Sequence, residues 1–90
     1  ANHSSAITGD ALVKTGQCTY RGFTITVVTA VGTIDIRDGV AASGGTIIDT
    51  IPVGTAAGTR VEKLVGITCE SGLYVDFNGG ATGTVIVLYE

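Results

Sequence analysis

Few side chains in this sequence are suited to chemistry, and their spacing works against each use. His3 is the only histidine, and it stands among Asn2, Ser4 and Ser5. A catalytic base has to be held beside a hydroxyl and oriented by a carboxylate. A histidine in a small polar segment reads as an exposed tail residue. One histidine and two distant cysteines do not make a zinc site, which wants four ligands with local pairing. Cys18 and Cys69 allow one disulfide, whose closed loop would be worth about 4 kcal/mol. Both fall in or beside apolar runs, where cysteine behaves as a small hydrophobe. Two free thiols are therefore expected, with the bridge as the alternative.

Three further patterns have ordinary explanations. Asp35-Ile-Arg-Asp38-Gly39 has two acids near a glycine, but it lacks the alternating ligands and distant glutamate of a calcium loop, and Arg37 sits inside it. It is expected to be a turn flanked by solvated charges. Gly79-Gly80-Ala-Thr-Gly83 is glycine-rich but leads into a β-branched run. No helix N-terminus follows it to hold a phosphate. Asn2-His3-Ser4 matches a glycosylation sequon, which matters only in a secreted chain. No catalytic, cofactor-binding or metal-binding residues are expected, and no cofactor.

The elements that would have to position any site are strands. Fourteen glycines punctuate short Val/Ile/Thr runs, and proline occurs once. No window shows helical spacing of apolar residues. Residues 1–10 read as a flexible N-terminal arm, and residues 11–90 as one domain. Strands are expected at Ala11–Lys14, Phe23–Thr29, Thr33–Arg37, Thr46–Ile51, Arg60–Cys69 (bent at Gly66), a run from Leu73, and Gly83–Tyr89. Asp35 is expected to point outward. Pro52 stops the fourth run because it lacks the N–H of a ladder. Asn78-Gly79-Gly80 supplies the positive-φ residues of a tight turn. Seven or eight short strands at this spacing predict an all-β sandwich. Its core is expected from Phe23, Ile25, Val27, Ile34, Ile36, Leu73, Val75, Phe77, Val85 and Val87.

The last run is apolar on both sides, with Val85, Val87 and Tyr89 facing one way and Ile86 and Leu88 the other. A sandwich buries one face of each strand. The strand is either central and covered twice, or its outer face meets another subunit. The second is expected, with Ile86 and Leu88 as the oligomer interface. Composition agrees. Of the 90 residues, 44% are hydrophobic and 14% charged, against roughly 25% charged in an ordinary domain. Mean hydropathy is +0.46. A small domain this poor in charge is expected to hide surface against other chains.

The net charge of −3 supplies no basic field for nucleic acid. The five aromatics are spread along the chain rather than gathered as a stacking platform. The run Val85–Tyr89 is far shorter than the roughly 20 residues that span a bilayer. The first residues lack the basic and apolar regions of a signal peptide. The chain begins on a small residue and holds no methionine, so synthesis in a reducing host cytoplasm is expected. No contact with nucleic acid or membrane is expected.

Leu12-Val-Lys-Thr-Gly16 followed by Tyr20-Arg-Gly-Phe-Thr-Ile25 resembles the opening of a family of small virion proteins of tailed bacteriophages. The later signatures of that family are matched by Ile36-Arg-Asp-Gly39 with Ser43-Gly44, and by Gly72-Leu-Tyr-Val75. A closing pattern follows in Gly79, Gly80, Gly83, Val85, Val87 and Tyr89. The resemblance covers about residues 11–90, and Cys18 and Cys69 are not part of it. It implies a jelly-roll-like β-sandwich in a head decoration (cement) or fibre component. The expected role is a non-enzymatic capsid cement protein, a homo-oligomer and most simply a trimer, bound to the major capsid protein on the virion surface. A head-fibre, tail or baseplate part is the alternative. A carbohydrate-binding module is a third reading, and it would need Tyr20 and Tyr74 exposed together in a cleft.

Overall fold

Alternating apolar residues and glycine turns give eight strands. The computed structural model describes residues 2–90, and Ala1 lies outside them. The strands are β1 (Asn2–His3), β2 (Ala11–Thr15), β3 (Cys18–Ala30), β4 (Ile34–Asp38), β5 (Thr46–Ile51), β6 (Arg60–Cys69), β7 (Gly72–Phe77) and β8 (Thr82–Tyr89). A single 3₁₀ turn at Asn78–Gly80 joins β7 to β8, with Gly79 in the left-handed region. All pairings are antiparallel.

The two sheets have strand orders β1-β8-β3-β6 and β2-β7-β4-β5. The first strand pairs with the last, the second with the seventh, the third with the sixth and the fourth with the fifth. The chain is therefore one long hairpin rolled up, and β8·β3 and β7·β4 close the roll. This nested order is a jelly roll, one of the ways all-β chains limit exposed sheet edges.

The core lies between the sheets. Tyr20, Phe23 and Ile25 of β3 and Val85 and Val87 of β8 meet Ile34 and Ile36 of β4, Ile51 of β5, and Leu73 and Val75 of β7. Eight of the ten expected core residues are buried. Val27 is 51% exposed instead. The β3–β8 register slips between Ile25 and Val27, which breaks the alternation one residue before it. Phe77 is half-buried and packs against the rim of the core. Five residues outside the expected set join the core: Ile7, Cys18, Tyr20, Ile51 and Cys69.

Residues 2–10, expected as a free arm, are laid along the sandwich. Asn2 and His3 pair with Tyr89 and Leu88. Ser4 and Val87 exchange two hydrogen bonds, N–H to carbonyl at 2.8 Å and N–H to hydroxyl at 2.9 Å. Ile7 exchanges backbone bonds with Val85 and is buried. The Asp10 carboxylate accepts the Phe77 N–H at 2.7 Å. The physical reason is the free edge of β8. Without the arm, its backbone groups would lack partners and the pocket filled by Ile7 would be open.

Candidate interaction surface

The outer face of the β1-β8-β3-β6 sheet carries a groove of about 440 Å³. Its walls come from all four strands: His3 from β1, Ile86 and Leu88 from β8, Arg21 and Thr24 from β3, and Arg60, Glu62, Lys63 and Leu64 from β6. The groove exists because β3 and β6 part company in the middle. Tyr20 pairs with Ile67 and Gly22 with Glu62. Between those pairs β3 has only Arg21, while β6 has Lys63, Leu64, Val65 and Gly66. The surplus bulges outward, as excess residues on an edge strand do. Leu64 and Val65 ride on the bulge, 92% and 87% exposed.

Gly22 makes the bend possible. Its φ is +129°, and a Cβ there would lie 2.0 Å from the Val61 carbonyl oxygen. No other residue fits a conformation and an approach of that kind.

The charge of the groove is opposite to that of the chain. Three of the five basic residues, Arg21, Arg60 and Lys63, line it with His3. Glu62 is its one acid and is bonded by Arg60 through both Nε (2.9 Å) and an Nη (2.6 Å). Lys63 leans toward Asp49 of β5 at 3.9 Å. Arg21 has no ion-pair partner among the described residues. The Thr24 hydroxyl is buried and has no hydrogen-bond partner among them either. Ile86, half-buried, and Leu88 form apolar patches between these charges.

Ile86 and Leu88, expected to meet another subunit, thus stand side by side on this face but are not equally available. β8 is an interior strand between β1 and β3. Leu88 is only 8% exposed, opposite His3 and Gly22. The two-sided apolar character of β8 is met partly within the chain. The most exposed apolar groups are Leu64 and Val65, which sequence reasoning missed. Their adjacency within an alternating strand was the available signal.

The outer face of the other sheet is different. Asp35 and Asp76 are register partners on β4 and β7, and both are buried. The expected solvated, outward Asp35 is therefore covered. It accepts bonds from the Thr50 hydroxyl (3.2 Å) and the Asn78 amide, which a buried carboxylate requires. Asp76 is held by Arg37 Nε at 3.1 Å. At the end of β4, the Asp38 carboxylate accepts the Glu70 and Ser71 N–H groups at 3.0 Å. These bonds lower its pKa, Glu70 contributing most. Among the described residues no group of three or more potential ligands forms a metal site.

The tyrosines do not share a cleft. Tyr20 is fully buried between the sheets, and its hydroxyl donates to Asp49 at 2.7 Å. Burial and that carboxylate raise its pKa far above the ordinary value. Tyr74 is half-buried on β7 in the other sheet. His3 is exposed, its Nδ1 near the Ser4 carbonyl at 3.0 Å. It lies on the groove, whose one carboxylate, Glu62, is bonded by Arg60. Among the described residues no helix is long and apolar enough to cross a membrane.

No protein-family model, curated protein or solved structure matches the chain. The class is therefore defined by geometry alone: an eight-stranded jelly roll with one outer face whose buried acids are internally paired, though Leu12 and Ile47 stand half-exposed on it, and one basic outer face edged by the far more exposed Leu64 and Val65.

Proposed function

We propose that this chain is a non-enzymatic structural protein of a virus particle, a cement protein that seats on the assembled capsid lattice. The observation that carries the reading is the β6 bulge beside the groove. Leu64 and Val65 stand almost wholly in water next to Ile86, a buried unpartnered hydroxyl and an unpaired arginine. A solitary soluble domain gains nothing from such a surface, whereas a docked one buries it. The jelly roll is frequent among capsid domains, which is analogy rather than proof of role. The phage-like motifs along residues 11–90 point the same way.

In this role the open face meets the major capsid protein and neighbouring copies of the chain, with a trimer at each site. A ligand that binds the assembled lattice and not its free subunits shifts the equilibrium toward the lattice. That is how a small domain reinforces a shell strained by packed DNA.

The test is addition of the purified chain to expanded capsids that lack it. Saturable binding is expected, with a higher temperature for capsid disruption. A folded chain that neither binds nor changes that temperature contradicts the proposal.

A further inference from the structure

We propose that Cys18 and Cys69 form a reversible oxidation site, a dithiol that closes to a strained disulfide between β3 and β6. Both thiols are free and buried. They are far apart in sequence but are direct register partners across the β3–β6 ladder. Both belong to the same buried core cluster, and the Cys69 thiol donates to the Ile67 carbonyl at 3.9 Å.

The backbone identifies which kind of pair this is. The N–H and C=O of one residue in an antiparallel strand point to the same neighbour, and successive residues alternate. Thr19 exchanges both of its backbone bonds with Glu90, at 2.8 Å each. It therefore points away from β6, and Cys18 points toward β6. Cys18 and Cys69 are a hydrogen-bonded pair. Such pairs hold their Cα atoms about 5.5 Å apart, within the reach of a disulfide. In hydrogen-bonded pairs the Cβ atoms stand toward the wide end of about 4.5–5.5 Å, whereas a relaxed disulfide wants about 3.5–4.5 Å. Closing the bridge pulls the strands together against an intact ladder. The product is strained, and strained disulfides are the easily reduced ones.

The two thiols have distinct roles. Cys18 is 6% exposed and Cys69 not at all, so Cys18 meets the oxidant. With hydrogen peroxide, the Cys18 thiolate attacks one oxygen and breaks the O–O bond. Sulfenic acid forms, and hydroxide leaves and takes up a proton as water. The Cys69 thiolate then attacks the Cys18 sulfur, forms the S–S bond and expels a second hydroxide, which also leaves as water. The protein loses two electrons and two protons, and one peroxide becomes two waters. Burial pushes the Cys69 thiol up to about 12, with the neighbouring Cys18 and the Asp38 charge adding to the effect. Burial also raises Cys18, against a smaller lowering by Cys69 and Lys14. Only thiolates react, so the pair stays reduced until an oxidant persists.

The site lies at one end of β6, beyond the bulge that carries Leu64 and Val65. An oxidised pair fastens the half of the edge strand that pairs through the short Cys18–Tyr20 ladder and is held at its end by Asp38. This is a property of the fold, whatever partner the outer face meets.

The test uses the folded chain with peroxide at about pH 8, the acid-quenched protein being then unfolded for thiol counting. Loss of both thiols together is expected, with the mass of two hydrogens lost and no disulfide-linked dimer. The unfolding midpoint should rise by roughly 5–10 °C. Bridged protein placed in a glutathione redox buffer should return to the dithiol as the reduced fraction rises. Cys69→Ser should instead stop at a Cys18 sulfenic acid, trapped by dimedone, and Cys18→Ser should react far more slowly. Two intact thiols after peroxide, or a bridge only between chains, would overturn the site. A bridge that survives excess reduced glutathione would overturn its reversibility.

Discussion

The two outer faces of this sandwich end in opposite conditions. On the β2-β7-β4-β5 sheet, Asp35, Arg37, Asp76, Thr50 and Asn78 satisfy one another, so that even buried carboxylates have partners. On the β1-β8-β3-β6 sheet, Arg21 and the buried Thr24 hydroxyl have no partner among the described residues, and Leu64 and Val65 face water. A polar network closed on itself contributes to a unique fold but offers nothing to a partner. Open valencies beside exposed apolar groups cost the isolated chain and are recovered only on contact. The comparison assigns stability to one face and association to the other.

The largest effect should come from breaking the closed face. Asp76→Ala leaves Arg37 without its carboxylate, and Arg37 is only 16% exposed at the side chain. Removing one member of such a pair costs about 3 kcal/mol. Urea unfolding of the variant is the check. A loss below about 1 kcal/mol would mean that water already satisfies Arg37 and the face is not closed.

Acid should weaken the same sheet at its end. The Asp38 carboxyl is held below the ordinary carboxylate range by the Glu70 and Ser71 N–H groups. A carboxyl with a lowered folded pKa favours the fold fully above its unfolded value of about 3.9, and this is lost as pH falls through the folded value. Asp38→Asn should therefore lower stability at neutral pH, flatten its decline below about pH 4, and leave the most acid point unchanged. Thermal midpoints across that range would read this. Parallel curves for the two proteins would remove Asp38 from the account.

On the open face the expected effect is smaller and changes sign. Thr24→Val replaces an unpartnered hydroxyl with a methyl of the same shape. The isolated chain should be unchanged or gain up to about 1 kcal/mol. Binding to capsids should weaken if the hydroxyl finds its partner there. Destabilisation of the isolated chain would show that the hydroxyl is already bonded.

Much of the fold was legible in the sequence. Thr46–Ile51 and Arg60–Cys69 match their expected bounds because Pro52 and polar or glycine-rich turns delimit them. Leu73, Val75, Val85 and Val87 are core because their strands keep an unbroken period of two. Val27 fails because a register slip is not written in periodicity. The N-terminal segment was misread because its composition is small and polar. The single apolar residue Ile7, which anchors it, carries too little signal alone. The open face was legible only in part. Ile86 and Leu88 announced a two-sided strand, but Leu88 is covered by its own chain. Arg21, Arg60 and Lys63 are scattered in sequence, and only nested pairing brings them to one groove. The Cys18–Cys69 juxtaposition has the same origin, since pairing partners across a long hairpin leave no local trace.

Sedimentation velocity at micromolar concentration, comparing the chain with its Ile86→Lys and Leu64→Lys variants, tests the division of the two faces most directly. The account predicts an oligomer, most simply a trimer, that both variants dissociate because each places an unpaired charge in an apolar contact. It predicts that their unfolding curves stay within about 1 kcal/mol of the parent, since neither side chain belongs to the core. An oligomer that ignores both substitutions, or a parent chain that sediments as a 9.1 kDa monomer and does not bind capsids, would contradict it.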